Sequence, residues 1–234
     1  MAGGDSNHLS AVAIVSGGLD SCGVAAYLRE KQGRDLYLLT FIYGQRAKRE
    51  VERAVEVGRR FEPIEHKVID ISIMKELYGS TNVLTDETKE MPSHFQSSII
   101  VPIRNAIFLT IGTAYAFSRK ASLVAYGAHL SDQPYPDCRP EFAMLLSRAL
   151  NLGDIDAIKS KTHPEVEFWS PAIAGLSKSE MLKISYDLLH DAVFRTWSCY
   201  LDGQKQCGKC ESCNNRKSAF MQAGIKDLTE YERQ

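Results

Sequence analysis

Two clusters in this chain have residue types and spacings suited to chemistry. The first is Val15-Ser16-Gly17-Gly18-Leu19-Asp20-Ser21-Cys22, which follows the apolar run "AVAIV". Backbone N–H groups at a strand-to-helix turn form an anion cradle, each charge there being worth roughly 0.3–2 kcal/mol. Ser16 and Ser21 add hydroxyl donors, and paired glycines let the backbone approach a ligand without a Cβ in the way. For Ser-Gly-Gly alone, a plain tight turn is as good a reading. Asp20 is the odd member, because a carboxylate repels phosphate unless Mg²⁺ lies between them. The loop has neither the lysine-bearing phosphate-loop spacing nor the G-x-G-x-x-G fingerprint. A further cation must come from elsewhere, and Lys178, in the capping turn of a later helix, is the candidate. Taken alone it reads as a solvated surface lysine.

The second cluster is Cys199, Cys207, Cys210 and Cys213, a C-x7-C-x2-C-x2-C pattern. Four thiolates so spaced suit a closed, structural Zn²⁺ site, which can supply on the order of 10 kcal/mol to local folding. Spacing leaves iron–sulfur ligation open, and buried or redox-active thiols are the plainer alternative. Cys22 and Cys138 stand apart. Cys22 opens a helix, where a thiol pKa can fall, although a small buried residue is its ordinary role.

The elements that must position these residues alternate strand and helix. Strands are expected at 11–15, 35–41, 64–71, 122–128 and 165–171; helices at 21–31, 46–61, 104–120, 140–153 and from Ser177, where Ser177 and Glu180 match a capping box. A polar stretch, 72–96, has only a weak helical piece near "MKELYG", and loops of that length are usually functional or mobile. The order implies an α/β fold with a parallel, doubly wound sheet, whose binding sites lie at the carboxyl ends of the strands. The expected division is a nucleotide-binding domain at 10–190 and a small cysteine module at 191–234.

Preceded by an apolar strand and followed by a helix, S-G-G-x-D-S resembles the PP-loop of the ATP pyrophosphatases, adenine nucleotide alpha-hydrolase-like enzymes. With "YGQR" (43–46), "RNAIFL" (104–109), "YPDCRPEF" (135–142) and "TWSCY…CGKCESC", the chain resembles the 7-cyano-7-deazaguanine synthases over about 12–231. The resemblance implies an ATP-dependent ligase that joins 7-carboxy-7-deazaguanine and ammonia through adenylated intermediates. It also implies queuosine- or archaeosine-type biosynthesis, a cytoplasmic homodimer, structural Zn²⁺, and Mg²⁺ with ATP. Ser16, Asp20 and Lys178 would be catalytic, and Val15–Cys22, Tyr43, Gly44, Gln45 and Arg104 would border ATP. Asn105, Asp132, Asp137 and Arg139 would contact the deazaguanine acid, with Trp197 or Tyr200 offering a face for the base. As isolated residues, these read as salt-bridged, cap, turn and core residues. Two departures fall here: Ile103 replaces the family's usual glycine, and "HLSDQPYPDC" replaces the commonest "NAVDYSGYPDC". Both bear on which acid and amine are used.

Composition excludes little else. With 28 Lys+Arg against 29 Asp+Glu, no global field draws the chain to nucleic acid or an anionic membrane. The apolar runs read as too short or too polar to span a bilayer, and "MAGGDSNHLS" has no signal-peptide pattern. Alternatives are a paralogue that stops at the amide or couples the acid to another amine, a tRNA-thiolating enzyme, and a zinc ribbon. For the ribbon, Lys205, Lys209, Arg216 and Lys217 would face nucleic acid.

Overall fold

The structure, a computed structural model, describes residues 9–232; the N-terminal "MAGGDSNH", read above as carrying no export signal, lies outside them. Five strands form one parallel sheet in the order β3-β2-β1-β4-β5. They are β1 (Ser10–Ile14), β2 (Asp35–Ile42), β3 (Glu65–Asp70), β4 (Leu123–Ala125) and β5 (Glu167–Trp169). The helices are α1 (Leu19–Glu30), α2 (Lys48–Gly58), α3 (Ile73–Tyr78), α4 (Arg104–Arg119), α5 (Pro140–Gly153), α6 (Ile155–Lys159), α7 (Lys178–Leu189) and α8 (Glu211–Ala223).

Side-chain alternation along β1 divides the core into two layers. Ala11, Ala13 and Val15 join α1, α2, α7 and α8, through residues such as Leu28, Val57, Met181 and Phe220. Val12 and Ile14 face the other way, toward Leu109 and Ala116 of α4 and Ala143 of α5. Helices thus cover both faces, so continuously apolar strands are stable. Phe220 of the cysteine module belongs to the same buried layer as α1 and α7.

Some boundaries differ from expectation. The fourth and fifth strands are three residues each, because only those residues find ladder partners. The helix expected at 46–61 begins at Lys48, and Arg46 instead clasps the long polar stretch. Arg46 Nη1 donates to the carbonyls of Val83, Asp86 and Lys89. Glu211 N–H and Asn214 Nδ2 hold Pro92 O and Ser93 O at 3.0 and 2.9 Å. Val83, Leu84, Ile99 and Val101 then close a small core with Tyr43 and Met74.

Residues Ser97–Arg119 are, by length and composition, apolar enough to cross a membrane, contrary to the sequence reading. The α-helix proper begins only at Arg104, after Pro102 and a left-handed Ile103. Its sixteen residues would span about 24 Å at 1.5 Å each. One face lies on the sheet, where Gly112 is set close to Val124.

Candidate active site

The strand order reverses between β1 and β4, the position where parallel sheets form a crevice. A cavity of about 230 Å³ opens there. Its floor is the Ser16–Ser21 turn, which binds itself together. Ser21 Oγ accepts from Ser16 N–H at 3.1 Å and donates to Gly18 O at 3.2 Å. Ser16 Oγ accepts from Gly18 N–H at 3.3 Å and lies 3.1 Å from Ser21 Oγ.

The two glycines act differently from the sequence expectation. Only Gly17 takes a positive φ, +87°, and a Cβ on it would overlap the Glu50 carbonyl of α2 rather than a ligand. Gly18 is extended, with φ −75° and ψ 162°. The close approach thus locks α2 against the loop. A second one brings in β4: a Cβ on Gly127 would lie 2.9 Å from Ser21 N.

Lys178, the first residue of α7 behind a capping box on Ser177 and Glu180, meets the loop directly. Its Nζ donates to Asp20 Oδ2 at 2.7 Å and lies 3.3 Å from His129 Nε2. Burial would raise the Asp20 carboxyl, but Lys178 and His129 outweigh it and hold it below the usual range. Burial likewise opposes the Lys178 charge, yet Asp20 and Asp132 raise its pKa. His129 is lowered by burial above all. A neutral imidazole accepting at Nε2 from Lys178 leaves its Nδ1 proton facing Asp132 Oδ2, 3.3 Å away. Lys178, the cation expected from the sequence, thus meets the charge of Asp20 directly.

The remaining wall comes from α4 and the segment after β4. Arg104 donates through Nη1 to Tyr43 Oη at 3.2 Å and lies over the Tyr43 and Phe108 rings. Gln45 lines the cavity but spends its amide on its own turn, accepting from Tyr43 N–H and donating to Phe41 O. Gly44, with φ +86°, sits against the Lys75 side chain. Asp137 accepts from Asn105 N–H at 2.8 Å and Asn105 Nδ2 at 3.3 Å, tying the start of α4 to the 136–138 turn. Cys138 borders the cavity beside them, its thiol raised by burial.

Several expected site residues lie elsewhere. Arg139 is outside the cavity wall, and its Nε donates to Gln133 O. Cys22 is a core residue, and burial pushes its thiol up to about 12, opposite to the helix-start expectation. Leu19 packs in the core and edges a smaller chamber beside the cradle. Trp197 is 3% exposed and packs with the four cysteines at the edge of that smaller chamber, while Tyr200 lines the cavity and donates to Glu211 Oε2 at 2.9 Å. Arg216 does not belong to a basic outer face: it is fully buried, donating to Thr196, Ser198 and Thr229 hydroxyls and to Val193 O. Sequence reasoning passed over His129 and Glu50. His129 carried no local signal, but Glu50 shares a stripe with buried Ala54 and Val57, four and seven residues on.

The four cysteine sulfurs lie within 4.8 Å of one another, all buried, and could hold a metal ion. Two Sγ pairs, 207–213 and 199–210, stand 3.9 Å apart. Four sulfurs about 2.3 Å from one metal would be about 3.8 Å from each other. Backbone N–H groups of Leu201 and Cys207 point to Cys199 Sγ, and that of Cys210 to Cys207 Sγ, at 3.3–3.4 Å. Such donors favour thiolate over thiol. The loop reaches the cradle through Trp197 N–H, which donates to Gly17 O at 2.8 Å.

Residues 10–224 match the family described as "Queuosine biosynthesis protein QueC". The chain belongs to that family. It is 37% identical to the 7-cyano-7-deazaguanine synthase of Caldicellulosiruptor saccharolyticus over 96% of each chain. Proteins of the same description from Psychromonas ingrahamii (39%, covering 94% of this chain and 97% of the relative) and Thermoplasma volcanium (36%, 95% and 91%) are also similar. Among solved structures, an NH3-dependent NAD synthetase from Campylobacter jejuni shares 16% identity at a TM-score of 0.39, over 82% of this chain and 88% of that one.

Proposed function

We propose that this protein is an ATP-dependent ligase that converts 7-carboxy-7-deazaguanine and ammonia into 7-cyano-7-deazaguanine, releasing AMP and pyrophosphate. The observation that carries the reading is one cavity bordered by the Ser16–Ser21 cradle, Lys178 and the 129–138 segment, in a chain at 36–39% identity to relatives named for that nitrile. Adenylation explains why such parts belong together. A carboxylate oxygen is a poor leaving group, and transfer of AMP onto it makes one that ammonia can displace. Removing the amide oxygen to reach a nitrile poses the same problem, which a second adenylation in the same cavity solves.

In this account Ser16, Ser21 and the loop N–H groups bind the departing pyrophosphate, with Lys178 supplying positive charge beside them. Asp20 would hold Mg²⁺ that enters with ATP, and such an ion offsets charge developing on the phosphates. Val15, Tyr43, Gln45 and Arg104 border the nucleotide. Asp132 faces the guanine-like N–H groups, while Asn105 and Asp137 shape that wall through their mutual hydrogen bonds. Zn²⁺ on Cys199, Cys207, Cys210 and Cys213 would be structural and have no open coordination position. The family resemblance supports a cytoplasmic homodimer as the working form of the enzyme.

The test is direct. Purified protein with Mg-ATP and ammonium should release AMP only when 7-carboxy-7-deazaguanine is added. AMP release indifferent to that acid, or none with it, contradicts the proposal.

A further inference from the structure

The cavity branches. A second chamber of about 140 Å³ opens between the Ser16–Ser21 turn, α2 and the cysteine loop, with Trp197, Ser198 and Ser212 in its wall. Two carboxylates border it, Asp20 and Glu50. Asp20 pairs with Lys178 and, in the ligase reading, serves the ATP metal. The Glu50 carboxylate makes no hydrogen bond or ion pair among the described residues.

That position is well determined. The Glu50 carbonyl abuts Gly17, so the start of α2 cannot drift from the cradle. The side chain occupies the inward stripe of α2, above Ala54 and Val57, where an apolar residue would be stabilising. The side chain is half-buried and borders the chamber, so its carboxylate is open to a ligand there. Such groups concentrate at functional sites.

We propose that this chamber is the amine subsite of the ligase and that Glu50 is its base, binding ammonium and taking one proton from it. The proposal rests on the ligase reading above. Amines carry their proton at neutral pH, and only the free base has a lone pair for attack. Glu50 takes a proton from ammonium, giving ammonia and a neutral carboxyl group. The ammonia nitrogen then forms a bond to the acyl carbon, the bond from that carbon to the AMP oxygen breaks, and AMP departs with the bonding pair. The nitrogen loses its extra proton to the departing phosphate, and Glu50 returns its own to water. Acyl adenylate and ammonium thus become amide, AMP protonated once on its phosphate, and one proton released through Glu50.

The surroundings suit this exchange. Burial pushes Glu50 up to about 7, against the opposing pull of Arg104. Besides Arg104, the titratable groups facing it are Tyr43, the buried Cys22 and the paired Asp20. A base in that range is well matched to neutral conditions.

The experiment separates adenylation from amine transfer in Glu50→Gln. With 7-carboxy-7-deazaguanine and Mg-ATP at pH 7.5, acid-dependent exchange of labelled pyrophosphate into ATP should stay within about threefold of the parent. Ammonium-dependent product should fall on the order of 10²–10⁴-fold. Hydroxylamine, already unprotonated at this pH, needs no base, so its capture of the adenylate as hydroxamate should fall less than about tenfold. Glu50→Asp should recover part of the ammonium reaction. Loss of exchange and product together would overturn the proposal and place Glu50 with the nucleotide. An equal defect with hydroxylamine, or no defect with ammonium, would also overturn it. Absence of acid-dependent exchange in the parent would overturn the ligase reading itself.

Discussion

The two loops that meet beside the cavity are held by opposite means. The Ser16–Ser21 turn satisfies itself, hydroxyl to amide and hydroxyl to hydroxyl, and rests on the backbone of α2. The cysteine loop turns four sulfurs toward a common centre. It is braced from outside by backbone N–H groups that point to the Cys199 and Cys207 sulfurs and by the buried Arg216 and Gln206 side chains. The first is organised by its own chain; the second gathers thiols that could hold a metal ion, and such an ion would bind them together. One hydrogen bond, Trp197 N–H to Gly17 O, joins the two. Order in the metal loop should therefore reach the phosphate loop, with much less passing back.

Substitutions test that asymmetry at descending cost. Cys213→Ser, at a sulfur with no solvent exposure, should remove much of the metal-linked stability, on the order of 10 kcal/mol. Loss of bound metal, a lower melting temperature and loss of adenylation should appear together. An unchanged melting curve in the metal-free variant would break the comparison. Gly17→Ala should cost about 3 kcal/mol, since its Cβ overlaps α2. Metal content should stay at the parental level, because the cysteine loop does not depend on this turn. Gly18→Ala, whose Cβ would come no closer than 3.3 Å to Ser16 Oγ, should cost less than about 1 kcal/mol in the same denaturation series.

Lys178→Met strands Asp20 and should reduce acid-dependent pyrophosphate exchange on the order of 10²–10³-fold. Its stability loss should be about 1–3 kcal/mol, below that of a fully buried pair because the partners remain 17% and 23% exposed. The pH window follows from the shifts. Asp20 lies below its ordinary 3.8, so its contribution is present above that value and fades as pH falls through the lower, folded one. Lys178 lies above its ordinary 10.5, so its contribution is complete below that value and fades as pH rises beyond it. Both contributions are thus complete in the parent from pH 6 to 8. In the variant, His129, freed from the Lys178 charge, takes a proton more readily beside Asp20. The difference between variant and parent in denaturant melts should therefore narrow from pH 8 toward pH 6. Arg139→Ala, at a residue outside the wall, should change kcat/KM less than about threefold.

Much of this arrangement is legible in the sequence, and the gaps follow a pattern. The strand and helix order, the cradle and the cysteine cluster all depend on spacing within one segment. Lys178 was reachable because Ser177 and Glu180 mark a helix start, and such starts in this fold point toward the sheet edge. His129 was not, since its meeting with Lys178 and Asp20 depends on how β4 sets beside β1. Asp137 and Gln45 are expected at the site from the family resemblance and from their positions after strands, and both line the cavity. In the fold their polar atoms are occupied by Asn105 and by the Gln45 turn itself. Glu50 and Arg216 share one signal. Each is a charge at helical spacing from buried residues: Glu50 ahead of Ala54 and Val57 of the amphipathic α2, and Arg216 between buried Cys213 and Phe220 of α8.

The central claim is that one cavity activates the same carbon twice. The measurement that tests it most directly follows AMP by chromatography and the deazaguanine product by mass spectrometry in a single reaction with ammonium. The account predicts two AMP per molecule of nitrile, with the amide rising and then falling. One AMP per molecule, with the amide as the final product, would contradict it.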